Sequence, residues 1–131
     1  IHDERGFNYR LPNLNAALGC AQMMRLNSFI QEKRNLADKY MLFFKDTDYE
    51  FFTEPSFAKS NYWLNAIRCE NSGSRNELLE ITNNSNVMTR PAWRPMHKLR
   101  MYQDCACGDL SVTNEYSDTI VNLPSWPLNE I

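Results

Sequence analysis

Residues 6–22 read GFNYRLPNLNAALGCAQ, the most specific stretch of the sequence, in which a polar loop runs directly into an alanine-rich helix. Asn8 offers amide donors, and Arg10 offers a planar fork of donors that fits two phosphate oxygens at once. Tyr9 can anchor the loop by its ring, and Pro12 stiffens the entry into the helix. The pattern predicts a local site for a phosphate-bearing ligand. The alternative is that Asn8 only closes a turn and Arg10 is a solvated arginine at the helix start.

The composition is that of one globular domain. The chain has 131 residues, of which 43% are hydrophobic and 23% charged, and its net charge is -2. This balance disfavours nonspecific binding to nucleic acid or to a membrane, and the arginines form no clear basic stripe. No apolar run approaches the roughly 18 residues that span a bilayer, and no basic leader precedes an apolar stretch. We therefore expect a cytoplasmic protein whose anion site is local.

The four cysteines do not have the dense spacing of a secreted disulfide scaffold. Cys105 and Cys107, with His97 nearby, suggest a metal site, but zinc sites favour Cys-x-x-Cys spacing and four ligands. We expect reduced thiols, no metal, and a Cys20 that is buried in its helix as a small apolar group.

The first 44 residues predict the longest helical region. Asn13 is the expected N-cap of a helix that runs to about Leu26, and Ser28 with Gln31 predicts a capping box for a second or bent helix. One straight rod over residues 13–44 would be roughly 48 Å long, whereas a compact domain of this size is about 36 Å across. The region must therefore bend or project. Its small side chains face either another domain or subunit, or this domain's own core: Ala16, Ala17, Gly19 and Ala21.

Residues 61–69 predict the best strand of the chain. Trp63, Ile67 and Cys69 point one way, while apolar neighbours point the other, so both faces are apolar and the strand is expected to be central. Shorter extended segments are expected elsewhere, at residues 48–52, 87–89 and 122–124.

Helices are expected between these strands. Residues 70–73 have turn composition, and Ser74 with Glu77 predicts a capping box for the helix that follows. Further helices are expected over about 98–102 and 111–121. Strands separated by helices after a helical lead predict an α+β fold, with a short sheet covered by helices.

Five stretches, in order, resemble the C-terminal part of the pyridoxal-phosphate-dependent sugar aminotransferases of the DegT/DnrJ/EryC1/StrS family. They are residues 6–22, FIQEKRNLADKY at 29–40, SNYWLN at 60–65, TRPAWRPMH at 89–97 and VNLPS at 121–125. The resemblance implies the small C-terminal domain of a fold-type-I transferase. Residues 1–26 would then belong to the junction with the large domain, and residues 27–131 would form the small domain.

The resemblance also implies site residues. Asn8 would reach across a homodimer interface to the cofactor phosphate of the neighbouring subunit, and Arg10 would hold the phosphates of the sugar nucleotide there. His97 would contact the substrate from a loop, with Arg90 and Trp93 as further substrate contacts. A lone loop histidine is otherwise a solvated surface group, and Lys98 stands where many relatives have tyrosine, which departs from the family pattern.

The implied activity is transfer of an amino group from an amino acid, usually glutamate, to a nucleotide-linked keto sugar. Stretches 60–65 and 87–91 look most like the enzymes of legionaminic-acid or bacillosamine-type pathways, which implies a UDP-N-acetyl-4-keto-6-deoxyhexose for surface-glycan synthesis. In the family the Schiff-base lysine lies upstream of the point where Ile1 falls, so this chain alone is expected to be inactive. The alternative is a noncatalytic dimerisation or binding module derived from this family.

Overall fold

The amino-terminal region of the computed structural model, which describes residues 4–8 and 10–126, consists of two consecutive helices. Helix α1 spans Asn13–Met23 and α2 spans Leu26–Phe44. The interruption at residues 24–25 confirms that the region does not form one rod. We refer to the described residues before α2 as the lead and to residues 26–126 as the sheet unit.

Neither expected cap of these helices forms. Pro12 holds the N-cap position of α1 without a side-chain hydrogen bond, so Asn13 is the first helical residue and not the cap. Helix α2 begins two residues before Ser28, whose hydroxyl donates to Glu32 Oε1 at 3.2 Å inside the helix. A Pro before a helix already fixes a compatible φ, which explains why α1 can start without a capping side chain.

The sheet unit contains a four-stranded antiparallel sheet. Its strands are β1 (Glu50–Phe51), β2 (Asn65–Arg68), β3 (Arg90–Pro91) and β4 (Ile120–Leu123), in the spatial order β1-β2-β4-β3. Strand β2 is therefore central, as predicted, although it is shorter than expected. Its register places Asn65 opposite Leu123 and Ile67 opposite Val121.

The core lies on one face of this sheet. Ile67, Cys69, Val121 and Leu123 are buried, and side chains of the flanking helices pack on them, among them Tyr40, Phe44, Leu78 and Leu79. Because Ala66 and Arg68 are only half-buried, the second apolar face expected for this strand does not exist. Trp63 points to solvent ahead of the strand. The observed architecture, a short sheet covered by helices, confirms the α+β prediction.

Helix α3 (Ser72–Asn84) starts earlier than predicted. Asn71, placed in a turn by the sequence, is its N-cap, and Asn71 Oδ1 accepts a hydrogen bond from the backbone N–H of Ser74 at 3.0 Å. The predicted capping box at Ser74 is therefore wrong. An asparagine three residues before the expected position satisfies unpaired amide groups of the first turn, because either residue type can accept from them.

The carboxyl-terminal half differs from the predicted secondary structure in three places. Helix α4 ends at Thr119 (Ser111–Thr119), and the next four residues, predicted partly as helix, form the central strand β4. The strand expected at 87–89 is displaced to Arg90–Pro91, because the Thr89 hydroxyl lies 2.5 Å from that of Thr82 and ties this segment to α3. The helix expected at 98–102 is replaced by two single 3-10 turns, Met96–Lys98 and Arg100–Tyr102.

No helix within the described ranges is long and apolar enough to cross a membrane. All four cysteines are free thiols, in agreement with the prediction, but Cys20 is exposed on α1 and not buried. The division into domains at residues 26 and 27 stays a prediction.

Candidate functional site

The lead presents its predicted phosphate-binding side chains to solvent. Asn8 and Arg10 are both exposed in the extended segment before α1, whereas Tyr9, predicted to anchor the loop, lies outside the described residues. Helix α1 buries none of its residues, and a Cβ added at Gly19 would meet no atom within 4 Å. The small-residue face is therefore not packed on this domain's own core, which was one of the two alternatives.

His97 lies in a cavity of about 440 Å3 beside the 3-10 turns. Its Nε2 is 3.0 Å from Oδ1 of Asn114 on α4, so the ring is held by a hydrogen bond and is only half-exposed, unlike a solvated surface histidine. Tyr102 also lines this cavity, and the guanidinium of Arg5 lies 5.7 Å from the centre of the Tyr102 ring. The lead therefore approaches the sheet unit next to His97.

A second cavity, of about 410 Å3, contains Arg90. Trp63 and Trp126 line it, and Trp93 stacks on Trp63 with ring centres 5.9 Å apart and planes inclined by 25°. These are the three tryptophans of the chain, and each is more than half exposed, by 64%, 69% and 55% for Trp63, Trp93 and Trp126. We name this group with Arg90 the tryptophan surface. The structure thus brings Arg90 and Trp93 together but places His97 in a different cavity.

Lys33 on α2 lines the same cavity and holds the backbone of the tryptophan surface by hydrogen bonds. Its Nζ donates to the backbone carbonyls of Trp63, at 3.1 Å, and of Ser125, at 2.6 Å, and burial lowers the pKa of this lysine. The Ser125 hydroxyl accepts from the backbone N–H of Asn65 and donates to the carbonyl of Leu123. Three of the stretches on which the resemblance rests, 29–40, 60–65 and 121–125, therefore meet at one point.

The loop before Trp63 is held by an ion pair. Arg34 donates two hydrogen bonds to the Glu54 carboxylate, which also accepts from the backbone N–H of Ser60 at 2.6 Å. The hydrogen bonds from Arg34, and then that from Ser60, lower the pKa of Glu54 to about 2. Tyr62, at φ 45, takes the left-handed conformation, and its hydroxyl accepts from the Glu54 N–H. These contacts set the position of the neighbouring Trp63.

Sequence reasoning missed five of these residues: Lys33, Trp63, Trp126, and Arg34 with Glu54, the pair that holds the loop before Trp63. The partners of Lys33 and Arg34 lie 20 to 92 residues away, so no local spacing could reveal them. The tryptophans gave an available signal, because exposed large aromatic residues commonly mark binding surfaces.

The described residues contain no group of three or more histidine, cysteine or acidic side chains that could hold a metal ion. Cys105 and Cys107 do line the His97 cavity, but as exposed thiols. For an external phosphate, the suitable donors of the lead are the amide of Asn8 and the guanidinium of Arg10, both exposed and without an acidic partner in the described lead. This donor set fits the phosphate group of a cofactor such as pyridoxal phosphate.

Comparisons with known proteins agree with one another. A model of the DegT/DnrJ/EryC1/StrS aminotransferase family matches residues 1–130. The GDP-perosamine synthase of Vibrio cholerae is 33% identical over 129 residues, which cover 96% of this chain and 35% of that protein. The GDP-perosamine synthase of Escherichia coli O157:H7 is 30% identical over 126 residues, with 96% and 34% covered.

Solved structures share the fold. DesV of S. venezuelae, in complex with a ketimine intermediate, superposes with a TM-score of 0.81 at 21% identity over 99% of this chain and 35% of its own. Helicobacter pylori PseC, an aminotransferase of pseudoaminic acid biosynthesis, gives a TM-score of 0.78 at 22% identity over 98% and 36%. The chain spans about a third of the length of the curated proteins named above.

Proposed function

Because this chain belongs to the DegT/DnrJ/EryC1/StrS aminotransferase family, we propose that it forms the C-terminal part of a pyridoxal-phosphate-dependent enzyme that aminates a nucleotide-linked keto sugar. The amino donor in this proposal is glutamate, and the product serves surface-glycan synthesis. The observation that carries the proposal is the family match over residues 1–130. A cytoplasmic location stays a prediction.

The lead supplies the contacts to phosphate. Asn8 donates from its amide to the cofactor phosphate in the neighbouring subunit, and Arg10 binds the phosphates of the sugar nucleotide in that same site. Their exposure supports this role, because exposed donors without an acidic partner can bind an external anion. When bound, pyridoxal phosphate supplies the electron sink for moving the amino group. The residues of this chain position the reactants, which reduces the entropic cost of bringing them together.

The shared site requires a homodimer. Leu14 and Leu18 of α1 are exposed by 80% and 61%, and the polar loop precedes them directly. An apolar helix behind an anion-binding loop fits a segment that packs on a second subunit and delivers its loop to that subunit's site. His97, Arg90 and Trp93 contact the substrate from the sheet unit.

The nucleotide has two candidates. The resemblance of residues 60–65 and 87–91 favours a UDP-linked N-acetyl-4-keto-6-deoxyhexose. The names of the curated relatives from Vibrio cholerae and Escherichia coli O157:H7 favour a GDP-linked keto sugar instead. Both belong to the same reaction class.

The test assays the intact protein that contains this chain with pyridoxal phosphate, glutamate and each keto sugar nucleotide. We expect amination of one of them, and none by this chain alone, because we place the Schiff-base lysine outside it. Absence of amination by the intact protein with every sugar nucleotide and amino donor would overturn the proposal and leave the noncatalytic module.

The residue roles are tested by Asn8→Ala and Arg10→Ala. The first should raise the concentration of pyridoxal phosphate needed for activity, and the second should raise KM for the sugar nucleotide, each by about tenfold. Asn84→Ala and Arg100→Ala, at exposed positions of the sheet unit, are the matched controls. Unchanged values in correctly assembled dimers would contradict the assignments.

A further inference from the structure

The tryptophan surface has the composition of a nucleotide-binding site. We propose that it binds the nucleoside diphosphate portion of the sugar nucleotide, with the base stacked on the indole rings of Trp63 and Trp126 and a phosphate on Arg90. This inference rests on the proposed function and names the part of the substrate that the cavity takes. Trp63 and Trp126 have no role in the proposal above.

The aromatic rings provide the stacking surface. Trp63 and Trp126 line the cavity, and Trp93 stacks on Trp63, which fixes the orientation of the Trp63 ring. All three rings are more than half exposed. A planar base is stabilised by stacking on such a ring, which favours a ligand with a flat aromatic part.

The charge of the cavity favours an anion. Lys33 and Arg90 are the charged residues that line it, and no carboxylate does so among the described residues. The ammonium of Lys33 already donates to two backbone carbonyls. Among the described residues, Arg90 donates at 3.5 Å to the sulfur of Met88, a weak acceptor, and this contact leaves most of the guanidinium donors for a ligand.

Hydrogen bonds within the chain hold the backbone that carries the tryptophan surface. The carbonyls of Trp63 and Ser125 are held by Lys33, and the segment before Trp63 is held by the Arg34–Glu54 pair. The backbone at Trp63 and Ser125, which line the cavity, is therefore already ordered before a ligand binds. A preorganised site binds more tightly because less conformational freedom is lost.

The experiment measures Kd by calorimetry for the intact protein with UDP, GDP and inorganic pyrophosphate. Trp63→Ala and Trp126→Ala should weaken binding of the preferred nucleoside diphosphate by about tenfold and leave the Kd for pyrophosphate unchanged, because only the base stacks. Arg90→Ala should weaken both. The matched control is Phe57→Ala, an aromatic residue that is 89% exposed outside this cavity.

Another part of the intact protein is the competing occupant of this surface. In that case the tryptophan variants would lower the stability or assembly of the protein and leave the nucleotide Kd unchanged, which would overturn the inference. Trp126→Leu keeps apolar bulk but removes the stacking ring, so it should fold normally and still weaken nucleotide binding. If it binds UDP and GDP as the unsubstituted protein does, the inference is wrong.

The two proposals fail differently. An intact protein that aminates a keto sugar nucleotide but whose tryptophan variants retain full nucleotide affinity refutes only the assignment of this surface. An intact protein that neither binds UDP or GDP nor aminates any sugar nucleotide refutes the function, and the inference with it.

Discussion

The lead and the sheet unit differ in how far their apolar side chains are buried. In the sheet unit, Ile67 and Val121 are almost fully buried, whereas in the lead Leu14 is 80% exposed and α1 buries no residue. An isolated helix of 11 residues is marginal in water, so α1 needs packing that the described chain does not supply. Among the described residues, the sheet unit therefore contains the buried core and α1 adds nothing to it, which is the arrangement expected if the lead packs on other protein as proposed above.

The largest expected effect lies in the core of the sheet unit. Ile67→Ala should lower the free energy of unfolding by about 2–5 kcal/mol, because it leaves a cavity in the core between the sheet and the helices that cover it. Ile81→Ala, on the exposed side of α3, is the matched control and should cost much less. Urea denaturation of both variants measures the difference. Equal losses would mean that the core lies elsewhere.

The next largest loss of stability is expected for Lys33→Met. It keeps the aliphatic stem but removes the two hydrogen bonds to the carbonyls of Trp63 and Ser125, and should cost about 2 kcal/mol. Lys39→Met, an exposed lysine on the same helix, should have little effect. The comparison uses the same denaturation measurement. If both lysine variants lose the same free energy of unfolding, the hydrogen bonds from Lys33 to the carbonyls of Trp63 and Ser125 contribute nothing to stability.

The Arg34–Glu54 pair should have a smaller effect that depends on pH. Because the pKa of Glu54 is lowered from 4.5 to about 2, the pair stabilises the fold fully above about pH 4.5 and loses this contribution as the pH falls toward 2. A double-mutant cycle with Arg34→Gln and Glu54→Gln measures the coupling at each pH. A coupling free energy that stays constant between pH 7 and pH 2.5 would contradict this assignment.

The smallest effect on the chain is expected in the lead. Leu14→Ser should change the free energy of unfolding of this chain by less than about 0.5 kcal/mol, because the side chain is already exposed. In the intact protein the same substitution should shift the mass measured by light scattering from dimer to monomer. A fully dimeric variant would remove Leu14 from the proposed interface, and a large loss of stability in this chain would show that the lead packs on the sheet unit.

Local patterns predicted the four α-helices because helical spacing is set by nearby residues. The central position of β2 was also predicted correctly, but it results from pairing with β1 and β4 and not from the second apolar face that was expected. The expectation for residues 120–123 was partly wrong, since their alternation is too short to be distinguished from the end of α4. They form a strand because β2 and β3 pair with them on both sides, and those partners lie far away in the sequence. The capping prediction at Ser74 failed for another reason, because Asn71 was equally competent to cap α3. Helices α1 and α2 begin without any side-chain cap.

Some residues of the candidate site could likewise be identified from the local sequence, and others only from the structure. The donors of Asn8 and Arg10 were found from their residue types and the stretch around them, although their roles stay predictions. His97 was found from a resemblance, and its hydrogen bond to Asn114 depends on where α4 lies. Lys33 could not be found, because a carbonyl 92 residues away leaves no mark on the sequence beside it.

The placement of β4 has a consequence for biosynthesis. This strand is the last of those within the described residues and yet lies between β2 and β3, and it contributes Val121 and Leu123 to the core. While the ribosome is still translating the preceding residues, the emerging polypeptide contains β1, β2 and β3 but lacks the strand that pairs with both β2 and β3. The four-stranded sheet therefore cannot form until β4 has left the exit tunnel, and a chain that stops before residue 120 would lack Val121 and Leu123 of the core.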